Sequence, residues 1–201
     1  MASDWTVHRL EDCVSALIDY RGKTPQKASA GIPLITAKIV KGGRIDTPDE
    51  FIQVDEYERW MRRGIPKPGD VVVTTEAPLG EVAQLGPGRL ALAQRLVALR
   101  GKPDLLDNRF LKFLMQSDDI QEQLRARASG TTVQGIKQSE LRKVLFTLPP
   151  IGEQLAIAHE QIEAPQFRRL IHFRQHRARP LAGLLDPTTV GKRIRALKIH
   201  W

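Results

Sequence analysis

The chain has 201 residues, a formal net charge of +8 and a pI near 9.9, with 41% hydrophobic and 27% charged residues. That length can bury a full core, and that balance excludes a disordered chain. No apolar run approaches the roughly 18 residues of a membrane span, Met1-Ala2-Ser3-Asp4-Trp5 lacks the parts of a secretory signal, and the lone Cys13 excludes an internal disulfide or a cysteine-based zinc site, so a reducing cytoplasm is expected. Taken in chain order, the alternation over Trp5–Leu10 predicts an opening strand. Ile32-Pro33-Leu34-Ile35-Thr36 predicts a short strand that Pro33 confines to an edge or a strand start. Val71-Val72-Val73-Thr74-Thr75 is β-branched throughout and follows the turn Pro66-Lys67-Pro68-Gly69-Asp70, the strongest strand signal in the chain. Glu81–Leu85 and Leu90–Leu99 predict two more strands, separated by Gly86-Pro87-Gly88. Asp107 caps an expected helix carrying Phe110, Leu111, Leu114 and Met115, and Asp119–Ala128 either continues it or starts another. Val144–Leu148 predicts a strand stopped by Pro149-Pro150, and Ile151–Glu163 a helix with Ile151, Leu155, Ala158 and Ile162 on one face. Residues 1–150 therefore read as a mixed α+β domain and 151–201 as a helical segment with a basic tail, interrupted at Pro165 and Pro180.

The positive surplus favours a polyanionic partner, and its placement is uneven. From Gln161 onward nine basic residues face two acidic ones, so the tail carries +7 of the +8. Motifs for chemistry fail one after another. Gly22-Lys23-Thr24 lacks the earlier glycine of a phosphate-binding loop, because Leu17 stands there. Asp70 and Glu76 flank the best strand and would be the carboxylates of a metal-dependent nuclease, but no lysine follows at Ala77-Pro78. His172 and His176 are four apart with no third ligand in view. Adenine methylation needs a cofactor fold and an aromatic box around a flipped base, and aromatic residues make up only 5% of the chain. The expectation is a protein without chemistry of its own.

Six segments, in order, resemble one known family. They are Ile18-Asp19-Tyr20-Arg21-Gly22-Lys23-Thr24-Pro25, Gly31-Ile32-Pro33-Leu34-Ile35-Thr36-Ala37-Lys38, and Lys67-Pro68-Gly69-Asp70-Val71-Val72-Val73-Thr74-Thr75-Glu76-Ala77-Pro78-Leu79-Gly80. Ala93-Gln94-Arg95-Leu96, Gly130-Thr131-Thr132-Val133-Gln134-Gly135-Ile136-Lys137 and Leu148-Pro149-Pro150-Ile151-Gly152-Glu153-Gln154 complete the set. Over about residues 5–160 this resembles a target recognition domain of a Type I restriction-modification specificity subunit. The resemblance implies an α/β globular domain of mixed sheet and short helices that reads half of a bipartite DNA site, followed by a long helix. It also implies modification subunits that bind S-adenosylmethionine and methylate adenine, and ATP-driven, Mg-dependent restriction subunits that cut. The specificity subunit itself holds no cofactor and catalyses nothing. The chain has a single recognition domain, so the resemblance implies a half-subunit that works as a homodimer. A truncated remnant acting only as an interaction protein and a stand-alone nuclease are the alternatives.

DNA readers divide into groups that fix position on phosphates and groups that read base edges. Lys23, Lys38, Lys137, Thr131 and Thr132 suit the first role, in loops where glycine lets the backbone approach the duplex. Arg21, Gln94, Arg95 and Gln134 have the forked donors or amides of the second. Thr24, Thr75 and Glu76 lie in the same segments and join the candidate DNA-binding set. For Arg21 and Arg95 the alternative is an ion pair with Asp19 or Glu76, and for Gln134 a plain turn role. Glu153-Gln154 is expected to be structural.

Overall fold

A computed structural model of the chain describes residues 5–20 and 24–163. In chain order these form β1 (Thr6–Arg9), α1 (Leu10–Cys13), β2 (Val14–Asp19), β3 (Ile32–Ile35), β4 (Val40–Lys41), β5 (Arg44–Ile45), β6 (Phe51–Ile52), α2 (Tyr57–Trp60), β7 (Val71–Thr75) and β8 (Leu79–Gln84). There follow β9 (Ala91–Leu92), β10 (Leu96–Gly101), α3 (Asn108–Met115), α4 (Asp118–Arg127), α5 (Gln138–Leu141), β11 (Leu145–Leu148) and α6 (Ile151–Glu163). The centre is an antiparallel sheet ordered β2-β10-β7-β8. Successive side chains of a strand point to opposite faces, and here both faces are covered. Val71, Val73, Val97 and Leu99 enter one core, with Phe110, Leu114 and Phe146. Val72, Leu96 and Ala98 enter a second, with Leu34, Ile52 and Leu92. The unbroken β-branched run of β7 follows from this: every residue of the strand is buried, and each valine removed from water stabilises the fold by roughly 1.5–3 kcal/mol.

The second core is closed by a small sheet ordered β6-β3-β9, in which β3 pairs antiparallel with β6 and parallel with β9. Of the two places expected for Pro33, an edge or a strand start, the second holds: β3 is central, Pro33 is its second residue, and Leu34 N–H next to it donates to Glu50 O. The expected strand Leu90–Leu99 is broken in two. Ala93 N–H bonds Ile35 O, Gln94 and Arg95 turn, and β10 begins at Leu96 in the other sheet. The chain thus changes sheets at the Gln94-Arg95 corner.

On the first core, Asp107 caps α3 by accepting from the N–H groups of Arg109 and Phe110 at 2.9 and 3.1 Å. The chain starts again as α4 after Ser117. This helix buries only Ile120 and Leu124, so its polar side chains do much of the docking. Gln121 donates to Gly80 O and Met115 O, both at 2.8 Å, and Gln123 bonds both main-chain groups of Leu145 at 2.9 Å. β1 pairs with β11, and α6 packs on α3 with Ala158 fully buried. Gln154 is structural, as expected: its buried amide donates to Leu105 O and Pro149 O and accepts from Asp107 N–H. Among the described residues no helix is long and apolar enough to cross a membrane.

Candidate nucleic-acid interface

Three segments distant in sequence meet where β7 ends. The first is Thr75-Glu76, the second the Gln94-Arg95 corner between β9 and β10, and the third the loop from Ser129 to Lys137 between α4 and α5. Together they line an open cleft of about 420 Å³. Main-chain bonds through one residue hold them there. Thr75 N–H donates to Arg95 O at 2.9 Å, and Thr75 O accepts from Ile136 N–H at 2.9 Å. With 2% exposure, Thr75 supplies a wall of the cleft rather than a reaching side chain.

The third segment closes on itself. Ser129 and Gly135 exchange N–H···O bonds at 2.9 and 3.0 Å, so Gly130-Thr131-Thr132-Val133-Gln134 projects as a five-residue loop, exposed throughout. Gly130 has φ +113°, and a Cβ there would collide with the Val133 carbonyl oxygen, so this turn requires glycine. Gly135 bridges Glu76, where a Cβ would crowd the Glu76 side chain at 3.1 Å. Thr131, Thr132 and Gln134 lie on the loop, Lys137 just beyond it, and all four are exposed. Lys137 has no ion pair among the described residues.

Arg95 lies opposite. Its φ is +71°, a left-handed conformation uncommon for a residue with a side chain. Its Nε stands 2.9 Å from Glu76 Oε1, with the two side chains 48% and 42% exposed. The ion pair weighed for Arg95 therefore forms with Glu76, and it forms at the mouth of the cleft. Gln94 lines the cleft beside it.

Other candidates stand elsewhere. Lys38 lies outside the cleft lining, with its ammonium 2.7 Å from Glu50 and 3.0 Å from Asp49. These carboxylates, Glu50 foremost, hold its pKa above the ordinary lysine value, and Lys27 followed by Lys38 holds Glu50 below the usual carboxylate range. Thr24 is exposed beside Pro25, which borders a separate hollow of about 260 Å³ with Trp60 and Arg62. Arg21 and Lys23 lie outside the described residues, as do His172, His176 and the basic tail.

The carboxylate pair of a nuclease does not assemble. Asp70 and Glu76 stand at opposite ends of β7, and six residues at about 3.3 Å each put them roughly 20 Å apart. Asp70 is 1% exposed and takes both Arg100 Nε and Nη2 at 2.7 Å, with Lys67 N–H at 2.8 Å. Among the described residues no group of three acidic, histidine or cysteine side chains is placed to hold a metal ion.

Sequence reasoning missed Ser129, Val133 and Ile136 as parts of the cleft. The spacing of Ser129 and Gly135 around two threonines was the available signal for a closed loop. The left-handed turn at Arg95 had none.

The family model for the Type I restriction modification DNA specificity domain matches residues 2–161. Over 89 residues the chain is 26% identical to the type I restriction enzyme MjaX specificity subunit assigned in Methanocaldococcus jannaschii, covering 44% of this chain and 20% of that protein. Among solved structures, the HsdS subunit from Thermoanaerobacter tengcongensis superposes with a TM-score of 0.63 at 18% identity, over 93% of this chain and 53% of that one. The S subunit from M. genitalium gives 0.56 at 19%, over 82% and 40%. A chain from a study of assembly and conformational transition of the type I R-M system gives 0.64 at 21%, over 88% and 42%. The chain thus spans a fifth of its curated relative and about half or less of the solved subunits.

Proposed function

The chain belongs to the Type I restriction modification DNA specificity domain family, and from that premise we propose that it is a sequence-reading half-subunit: it binds double-stranded DNA and directs partner subunits to the site. One observation supports this most. Thr75-Glu76, Gln94-Arg95 and Ser129–Lys137 come from three distant parts of the chain and share one open cleft, beside an exposed loop closed at its base. Forked and amide donors at Arg95, Gln94 and Gln134 serve base edges; Lys137, Thr131 and Thr132 serve phosphates. The chain performs no catalysis in this reading. S-adenosylmethionine, ATP and Mg²⁺ belong to methyltransferase and restriction partners in the cytoplasm, and two copies of the chain read a two-part site.

The test is selection from a randomised duplex library at moderate salt, with the purified chain alone and then with its modification partner. A retained motif made of two mirror-related halves is expected. Partner binding without any sequence preference would favour the remnant, and Mg²⁺-dependent cutting by the chain alone would favour the nuclease.

A further inference from the structure

The Arg95–Glu76 pair differs from an ordinary surface ion pair in three ways. The guanidinium makes its nearest approach to the carboxylate at Nε, the inner nitrogen, at 2.9 Å, and among the described residues it has no other ion-pair partner. A guanidinium held at Nε keeps its outer edge for a second partner, and that edge carries the two parallel donors that match the O6 and N7 acceptors of guanine in the major groove. The backbone under Arg95 is left-handed at φ +71°, a conformation that persists only where its surroundings impose it. Those surroundings are visible: Arg95 O takes the Thr75 N–H, and Gln94-Arg95 is the corner where the chain changes sheets. Finally, the backbone that carries Glu76 is tied to the loop. Gly135 bridges it, and the space where a Gly135 side chain would lie is closed by Glu76 Cβ at 3.1 Å and Oε2 at 3.2 Å. The loop base, the carboxylate and the guanidinium form one chain of contacts leading to the cleft mouth.

We propose that Arg95 reads a guanine from the major groove, and that Glu76 is its positioning residue, orienting the guanidinium and making the cleft mouth selective by repelling any phosphate that approaches in place of a base. This rests on the cleft being the DNA-reading site. A bare arginine at that mouth would bind phosphate on any sequence. A carboxylate beside it penalises a full phosphate charge far more than the partial charges of guanine O6 and N7. The difference in size between these two effects identifies the role.

The experiment uses the full chain, with its modification partner where binding needs it, and duplexes carrying the selected motif. Wild type is expected to require guanine at one position, and replacing that base by 7-deazaguanine, which lacks the N7 acceptor but keeps O6, should weaken binding by about 5-fold or more, a part of what a full bidentate pair contributes. Arg95→Lys keeps the charge but loses the fork, and should abolish the preference at that position alone. Glu76→Gln should tighten binding to random duplex and flatten the guanine preference together. The inference is overturned, with the DNA-reading function intact, if wild type selects a motif that tolerates 7-deazaguanine everywhere or if Arg95→Lys retains the whole motif. It also falls if Glu76→Gln weakens random and selected duplex alike. Absence of any motif, with and without the partner, overturns the function and this inference together. The modified-base arm uses wild-type protein, so a variant that fails to fold does not protect the proposal.

Discussion

The two ends of β7 carry the same chemical pair in opposite settings. At one end Asp70 is sealed under Arg100, with two bonds of 2.7 Å to the guanidinium and a third from Lys67 N–H. The Arg100 side chain is 24% exposed, and its pKa lies above the ordinary arginine value because of the Asp70 hydrogen bonds. At the other end Glu76 and Arg95 meet at 2.9 Å with both side chains open to solvent. The difference separates a closed structural pair from one that solvent and a partner can reach. A carboxylate closed off from water cannot lose its partner without a large penalty, whereas an exposed pair costs little to rearrange and leaves donors open to a further partner.

Substitutions at the two ends should therefore diverge. Asp70→Ala strands the Arg100 charge and the Lys67 donor, and is expected to lower unfolding free energy by about 3 kcal/mol in urea titrations. Glu76→Ala should cost under about 1 kcal/mol in the same measurement. Equal losses would erase the distinction. Gly130→Val forces a side chain onto the Val133 carbonyl in a left-handed turn, an expected penalty of roughly 1–3 kcal/mol. It should reduce DNA affinity on every sequence by distorting the loop, which filter binding at one salt concentration would detect. Between the two lysines, Lys137→Ala should lower the salt dependence of binding by about one phosphate contact, a slope change near 0.9, and Lys38→Ala should leave it unchanged. A slope change for Lys38 would mean that DNA displaces Glu50 and Asp49.

The smallest response is expected at Cys13, inside the sealed region. Burial, helped by Asp12, pushes its thiol up to about 11 from an ordinary 9.0. The folded chain thus holds this proton more tightly than the unfolded chain. The resulting stability is complete below pH 9.0 and is lost as pH rises through about 11. Native protein at pH 8 should resist thiol alkylation over hours, and labelling should track global unfolding. Rapid labelling would place the first core among the locally opening regions.

Most of the frame follows from local rules. The β-branched run at Val71–Thr75, the Asp107 cap and the Pro149-Pro150 stop are strong because a few neighbouring residues determine each. The second core was harder to foresee. Its sheet joins two-residue strands, β6 and β9, to β3, and such short pieces carry no periodicity of their own. The site divides the same way. Gln94, Arg95, Gln134 and Lys137 stand out by donor chemistry and neighbouring turn residues, and the structure gathers them at one cleft or its rim. Lys38 has the same chemistry but stands before two carboxylates at Asp49 and Glu50, a pairing set by long-range folding. Proximity to a glycine cannot distinguish those two outcomes; the cross-chain bonds of Thr75 do.

The pair of bonds joining Ser129 to Gly135 has a consequence for how such a protein can change. A loop tied at its own base transmits little of its contents to the scaffold, because the ends stay fixed whatever lies between them. Closure entropy grows only with the logarithm of length, so doubling the insert between those residues costs about 0.6 kcal/mol. New residues can enter between Gly130 and Gln134 without any rearrangement of the double-sided sheet behind them. Here the wording of one loop can be rewritten without disturbing the grammar of the fold.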